Sequence, residues 1–327
     1  MLPLVSILIT TYNQPKYFVE ALESALNQDY PNVEIIIGDD STDNRTEEIV
    51  SKYLATSPKF PIEYFHHKHR LGGKGFGNLN FVMERAHGEF VNFLHDDDLF
   101  ASNKISRMID WFLREDVGDR IAFVSSNQFI IDSESRVVDI YKALPNFDED
   151  FICISGEAFG RECLKGCGNF AGELTTNLFR RENLLDLDLG KFFIGKFFDF
   201  YDKAMRDIST WLELARHQDR ICVFLKEPLS SFRSHQIQLT NDVDARFNYC
   251  CSFAALTATS RINGVFVNDD SIFEQSLLSW LDLLDETTRT SANYKSPPDP
   301  RVTDLLANLA ESIQNHDYDR FLEFARK

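Results

Sequence analysis

The regular alternation of short β-branched runs with amphipathic stretches over the first 130 residues constrains this chain most. LVSILIT (4–10) reads as a buried strand, and KYFVEALESALNQ (16–28) then sets Phe18, Leu22, Ala25 and Leu26 at helical spacing. The strand signal returns at VEIIIGDDS (33–41), IEYFHH (62–67), EFVNFL (89–94) and IAFVSSNQFII (121–131). Helices are predicted between them near 46–54, over LNFVMERAH (79–87) and at 104–115. This order predicts an α/β fold: a Rossmann-like, mostly parallel central sheet flanked by helices.

Ligands of open α/β sheets bind beyond the carboxyl ends of the strands. Three loops fall there: TTYN (10–13), GDDSTD (38–43) and LHDDDLF (94–100). The last places Asp96, Asp97 and Asp98 side by side. Neighbouring carboxylates repel by about 1 kcal/mol per pair in water and about 4 at the effective dielectric of a partly buried site. A divalent cation would relieve that repulsion, and Mg²⁺ or Mn²⁺ suits oxygen ligands. It would also let a diphosphate approach an otherwise repelling site.

Beyond 132 the pattern loosens. A helix with Ser155 as N-cap is predicted over 155–166, a loop over 167–173, and a helix over 207–218. Residues 220–235 carry a strand and a turn at Pro228, and only helical signals follow Thr240. The expected division is therefore 1–240, the α/β domain, and 241–327, a C-terminal helical extension.

Net charge of −17 argues against nucleic acid, because counterion release at phosphates needs clustered Lys and Arg. The six cysteines show no CxxC spacing and read as free thiols in a reducing compartment. MLPLVSILITTYN lacks a basic leader and a long apolar run, so a soluble, cytoplasmic protein is expected, with membrane association at most peripheral. The amphipathic stretch at 272–284 reads as a helix packed on a core, since its acidic charges disfavour anionic lipid.

Other signals are weaker. GGKGFG (72–77) lacks the spacing of either phosphate-binding glycine motif, which leaves two readings, a mobile loop or a loop that sets Lys74 beside nucleotide phosphates. His66 and His67 are sent to opposite faces by strand alternation, which argues against a metal site there. His235 is a lone histidine after a strand.

PLVSILITTYNQPKYFVEALESALNQDYPNVEIIIGDDSTD closely resembles the opening of family 2 glycosyltransferases, which have the glycosyltransferase A fold. NFVMERAHGEFVNFLHDDDLF resembles the segment that ends in the family's Asp-X-Asp motif. GNFAGELTTNLFRRENL and DISTWLELARHQDRICVFLKEPLSSFRSHQIQLT resemble later segments, the second carrying an acidic residue, a Trp-Leu helix and an Arg-x-His.

The resemblance implies inverting transfer of a sugar from a nucleoside diphosphate donor, with a UDP-sugar favoured, to a glycan, lipid-linked or protein acceptor. Bacterial surface-glycan or glycoconjugate assembly is the setting it suggests. It places Thr10 and Tyr12 at the nucleotide, Asp40 at the base with Asp39 beside it, and Lys74 and Asn80 near the donor. Asp97 and Asp98 fall nearest metal and diphosphate, and His235 falls on a further metal position. Asp96 is a ribose or metal contact at the donor or a solvated neighbour, since the Asp-X-Asp can be drawn from Asp96 to Asp98 or led by His95. Asp207 falls on the general base.

Two departures stand out: His95 occupies the first position of the usual acidic run, and Arg206 precedes Asp207 where many members have Glu. A neighbouring guanidinium favours an ionised base. A nucleotidyltransferase making a nucleotide sugar, or a non-catalytic module binding one, are the alternative readings. The helical tail is read as core packing, acceptor recognition or a homodimer contact.

Overall fold

The computed structural model describes residues 2–72, 75–115, 117–144, 147–185, 206–217, 219–235 and 243–290, with isolated positions between 307 and 323. The elements run β1 (Val5–Thr11), α1 (Pro15–Leu26), β2 (Val33–Asp39), α2 (Arg45–Ala55), β3 (Ile62–His66), α3 (Phe76–Arg85) and β4 (Phe90–His95). There follow β5 (Leu99–Phe100), α4 (Lys104–Phe112), β6 (Ile121–Ile131), β7 (Val137–Tyr141), β8 (Phe151–Ser155), α5 (Gly156–Lys165), β9 (Leu178–Arg180) and α6 (Arg181–Leu185). The remainder are α7 (Arg206–Ala215), β10 (Ile221–Arg233), α8 (Val243–Ile262) and α9 (Asp270–Thr290).

The sheet order is β3-β2-β1-β4-β9-β6-β10-β5, with β7 on β6 and β8 on β10. β1, β2, β3 and β4 are parallel neighbours, and β6 pairs parallel with β10. The short β9 joins these two parts by running antiparallel to both β4 and β6. Val5, Ile7, Leu8 and Ile9 are fully buried, so β1 is covered on both faces, as a central parallel strand requires. One cover is α1, whose Phe18, Ala21, Leu22 and Ala25 join Val5, Ile7 and Ile9 in one core.

β10 corrects the turn expected at Pro228. The strand runs through that residue and absorbs it in register shifts between Leu225 and Ser230. Proline cannot donate a ladder hydrogen bond, so a bulge rather than a break accommodates it.

Contacts divide the chain into two compact units interleaved along the sequence. The first comprises 1–154, 170–186 and 219–235; the second comprises 155–169, 187–218 and 236–327. In the second, Ser155 Oγ accepts from Ala158 N at 3.1 Å and caps α5 as expected. A Cβ on Gly156 would lie 2.0 Å from the Ala215 carbonyl oxygen, so glycine permits the close approach of α5 to α7. α9 turns Phe273, Ser276, Leu277 and Trp280 inward at helical spacing, which is the core-packed reading of that stretch. No helix among the described residues is long and apolar enough to cross a membrane.

Candidate active site

The loops after β1, β2 and β4 meet at one sheet edge because their strands are adjacent and in register. Thr10 pairs with Gly38 on one side and His95 on the other. Side chains then stitch the loops together: Asn13 N donates to Ser41 Oγ at 2.9 Å, and Tyr12 N donates to Asp96 Oδ2 at 3.1 Å.

The two acidic residues after β2 sit in different surroundings. Asp39 is saturated, accepting from Ser41 N at 2.7 Å and from the Tyr64 hydroxyl at 2.6 Å. Asp40 accepts from Leu71 N at 3.2 Å through Oδ2, while its buried Oδ1 has no hydrogen-bond partner among the described residues. Burial pushes the Asp40 carboxyl above its ordinary range. Beside it Tyr12 is exposed, with the Arg70 guanidinium 4.3 Å from its ring centre.

Asn78 fixes the glycine-rich segment. It is buried at the start of α3 and its Nδ2 donates to the Gly38 carbonyl at 2.8 Å. A Cβ on Gly38 would lie 1.9 Å from Asn78 Oδ1, so only glycine permits this cross-tie. Gly38→Ala is expected to destabilise the protein by about 1–3 kcal/mol, as overpacking does. Thermal unfolding checks this, and Gly38→Ala combined with Asn78→Ala should recover part of the loss.

The acidic triplet forms a tight turn between two strands. His95 ends β4, Asp98 N donates back to the His95 carbonyl at 3.2 Å, and Leu99 opens β5. Asp98 is fully buried and gripped on both oxygens, by Thr175 Oγ1 at 2.8 Å and by Arg233 N at 3.1 Å. The buried Arg233 side chain completes the clamp. Its Nε donates to the Asp97 carbonyl at 2.8 Å, Nη1 to the Asp132 carbonyl at 3.1 Å and to Ser135 Oγ at 2.8 Å, and Nη2 to Glu20 at 2.9 Å.

A second tie lies beneath the turn. The buried Lys104 ammonium donates to the Thr176 carbonyl and to Ser230 Oγ, both at 3.1 Å, joining the segments that carry Thr175 and Arg233. Burial holds Lys104 well below the ordinary lysine range.

Burial and then the Asp97 charge push Asp96 up to about 7, and the same two causes raise Asp98. A cation is the group that would reverse both. Among the described residues, His95, Asp97 and Asp98 form the one group of three potential metal ligands, their donor atoms all within 4.8 Å of one another. Two carboxylates and an imidazole gathered this closely are donors that would suit a small divalent ion. His235 adjoins this group, its Nε2 3.0 Å from Asp97 Oδ2 and its ring packed on Tyr17.

The other sequence candidates fall as follows. Thr10 is half-buried at the end of β1, and Asn80 is exposed on α3. Asp207 stands in the first turn of α7, within the second unit. Lys74 lies outside the described residues. His66 is used locally, 3.0 Å from the Ser41 carbonyl and 3.3 Å from Glu47, and His67 packs edge-on against Phe81. Asn78, Thr175 and Lys104 carry no expectation from sequence, and Arg233 enters only as the arginine of the Arg-x-His. Only the charged ones left a sequence trace: a lysine among the apolar positions of a helix, and an arginine ending an apolar strand.

A mixed α/β sheet with helices on its faces and this polar edge is the glycosyltransferase A fold. The chain carries a domain of glycosyltransferase family 2: residues 6–162 match the model described as Glycosyl transferase family 2. It is 30% identical over 239 residues to an uncharacterized glycosyltransferase of Rickettsia typhi, covering 73% of this chain and 66% of the relative. The chain thus spans just under two thirds of that relative's length. It is 27% identical over 270 residues to the GalNAc(5)-diNAcBac-PP-undecaprenol beta-1,3-glucosyltransferase of Campylobacter jejuni, covering 79% of this chain and 82% of the relative.

Among solved structures, S. aureus TarS 1-349 in complex with UDP is similar with a TM-score of 0.59 at 18% identity, over 99% of this chain and 90% of that one. The mannosyltransferase PcManGT from Pyrobaculum calidifontis, in complex with GDP-Man and Mn²⁺, is similar with a TM-score of 0.54 at 18% identity, over 99% and 86%.

Proposed function

We propose that this protein transfers a sugar, with inversion, from a nucleoside diphosphate donor to an acceptor hydroxyl. The observation that carries the reading is Asp40 Oδ1, buried and without a hydrogen-bond partner among the described residues, on the same sheet edge as the acidic turn. A buried acceptor without a donor is costly, and a ring N–H of a nucleobase would satisfy it. Uracil offers such a group, as guanine and thymine do, and the exposed Tyr12 ring beside Arg70 offers a face for stacking. The solved neighbour in complex with UDP is what favours a UDP-sugar among these.

Asp97 and Asp98 would hold Mn²⁺ or Mg²⁺ at the diphosphate, with His235 beside Asp97. When bound, such an ion supplies Lewis-acid stabilisation of the charge on the leaving diphosphate. Asp207 takes the proton of the acceptor hydroxyl at a carboxylate oxygen. Its place in the first turn of α7 favours the ionised form that a base needs. The undecaprenol-linked acceptor in the Campylobacter jejuni relative's name supports a lipid-linked glycan as acceptor.

The test is a panel of nucleotide sugars with Mn²⁺ or Mg²⁺, scored for thermal stabilisation and slow donor hydrolysis. A UDP-sugar should raise the melting temperature and be hydrolysed slowly. Pyrophosphate release from a nucleoside triphosphate and a sugar phosphate would instead establish a nucleotidyltransferase.

A further inference from the structure

We infer that His95 is itself a ligand of the cation at this site and biases it toward Mn²⁺ over Mg²⁺. The inference rests on the metal reading above and adds to it a residue where the family resemblance leads one to expect an acid.

Three observations carry it. First, His95, Asp97 and Asp98 can bring their donor atoms within 4.8 Å of one another. Second, His95 Nδ1 lies 3.9 Å from Asp98 Oδ2. That is too long for a hydrogen bond and within the span of two ligands on one ion. Third, the His95 imidazole is half-buried and, among the described residues, has no hydrogen-bond partner; only the backbone N–H is engaged, by Thr175 Oγ1 at 3.3 Å. A half-buried ring directed at a buried carboxylate without bonding it is poised for a third group between them.

The chemistry of the donor set then decides the ion. Histidine in place of an acid removes one negative charge and adds a nitrogen donor. Mg²⁺ demands hard oxygen ligands and gives up its waters reluctantly. Transition ions accept imidazole, and for mixed nitrogen and oxygen sites the affinity order begins at Mn²⁺ and rises through Co²⁺. Two carboxylates and one imidazole therefore retain Mn²⁺ binding while weakening the hold on Mg²⁺.

The test uses the full chain with Mn²⁺ alone, then with Mg²⁺ as competitor. Pulsed electron paramagnetic resonance of bound Mn²⁺ should show nitrogen hyperfine coupling in the wild type. That coupling should be lost in His95→Asp and His95→Gln, and kept in His235→Asn. The ratio of Mn²⁺ to Mg²⁺ affinity should fall by about tenfold in His95→Asp, the size expected when a ligand changes class. Melting of metal-free His95→Gln should match the wild type, since the ring has no other hydrogen bond among the described residues. His95→Asp adds a fourth carboxylate to the turn and should melt lower without metal; if it does not fold, His95→Gln carries the same spectra.

Coupling that persists in both His95 variants, or an unchanged affinity ratio, overturns the role of His95. Failure of wild-type protein to bind Mn²⁺ at all overturns the metal reading together with it. Mn²⁺ binding that disappears in Asp97→Asn, without nitrogen coupling in the wild type, leaves the metal reading standing and removes only His95.

Discussion

Asp207→Asn is expected to slow sugar transfer by about 10²–10⁴-fold, the usual worth of a positioned general base. The substitution keeps the shape of the side chain and its place in the first turn of α7. What it removes is the capacity to accept a proton. Nucleotide binding, which this reading assigns to Asp40 and the acidic turn, should be unchanged. Steady-state kinetics paired with calorimetry of UDP and Mn²⁺ separates the two effects, and wild-type turnover in the variant would remove Asp207 from the mechanism.

Arg233→Met has the largest expected structural effect. It withdraws the donors that bind the Asp97 carbonyl, the Asp132 carbonyl, Ser135 and Glu20, and it leaves those acceptors to find water or go without. Breaking a buried charged pair costs about 3–5 kcal/mol. Glu20 is partly exposed and recovers some hydration, so about 3 kcal/mol is the better expectation. At the ~2–4 °C per kcal/mol of a domain of this size, that lowers the unfolding midpoint by about 6–12 °C. The variant should also bind Mn²⁺ more weakly, because Asp97 and Asp98 lose their orientation. A midpoint and Mn²⁺ affinity both equal to wild type would show that Arg233 does not hold the turn.

The two-residue β5 falls within the stretch 94–100 that reads as a loop; the legible part of the fold is β1 to β4, β6 and the helices between them. There, buried parallel strands read as apolar runs and their crossover helices show a clean period. β9 was not legible, because three residues carry no periodicity and its place between β4 and β6 depends entirely on partners distant in sequence. β7 was not legible either, since its residues are exposed along its whole length. β10 was read as ending in a turn at Pro228, because proline's missing N–H is visible in sequence whereas the bulge that tolerates it is not.

The site divides in the same way. The acidic turn and Asp40 announce themselves through charge at strand ends. Asn78 does not: its role comes from facing Gly38 across 40 positions of chain. Thr175 is an ordinary hydroxyl until the fold sets it against Asp98. Asn80, expected near the donor, is exposed on α3, while the buried amide two residues earlier holds the loop.

The clamp on Asp98 has a consequence for how this protein acquires its competence. Its two holders, Thr175 and Arg233, lie 77 and 135 residues further along the chain. Contacts of such separation form only after long loops close, which is slow. The acidic turn is therefore complete in sequence well before it is complete in space. A nascent or truncated chain ending before β10 would contain Asp96, Asp97 and Asp98 but no fixed arrangement of them. Cation and donor binding would switch on with the last strand's entry into the sheet, making ligand affinity a direct report on whether the domain has finished folding.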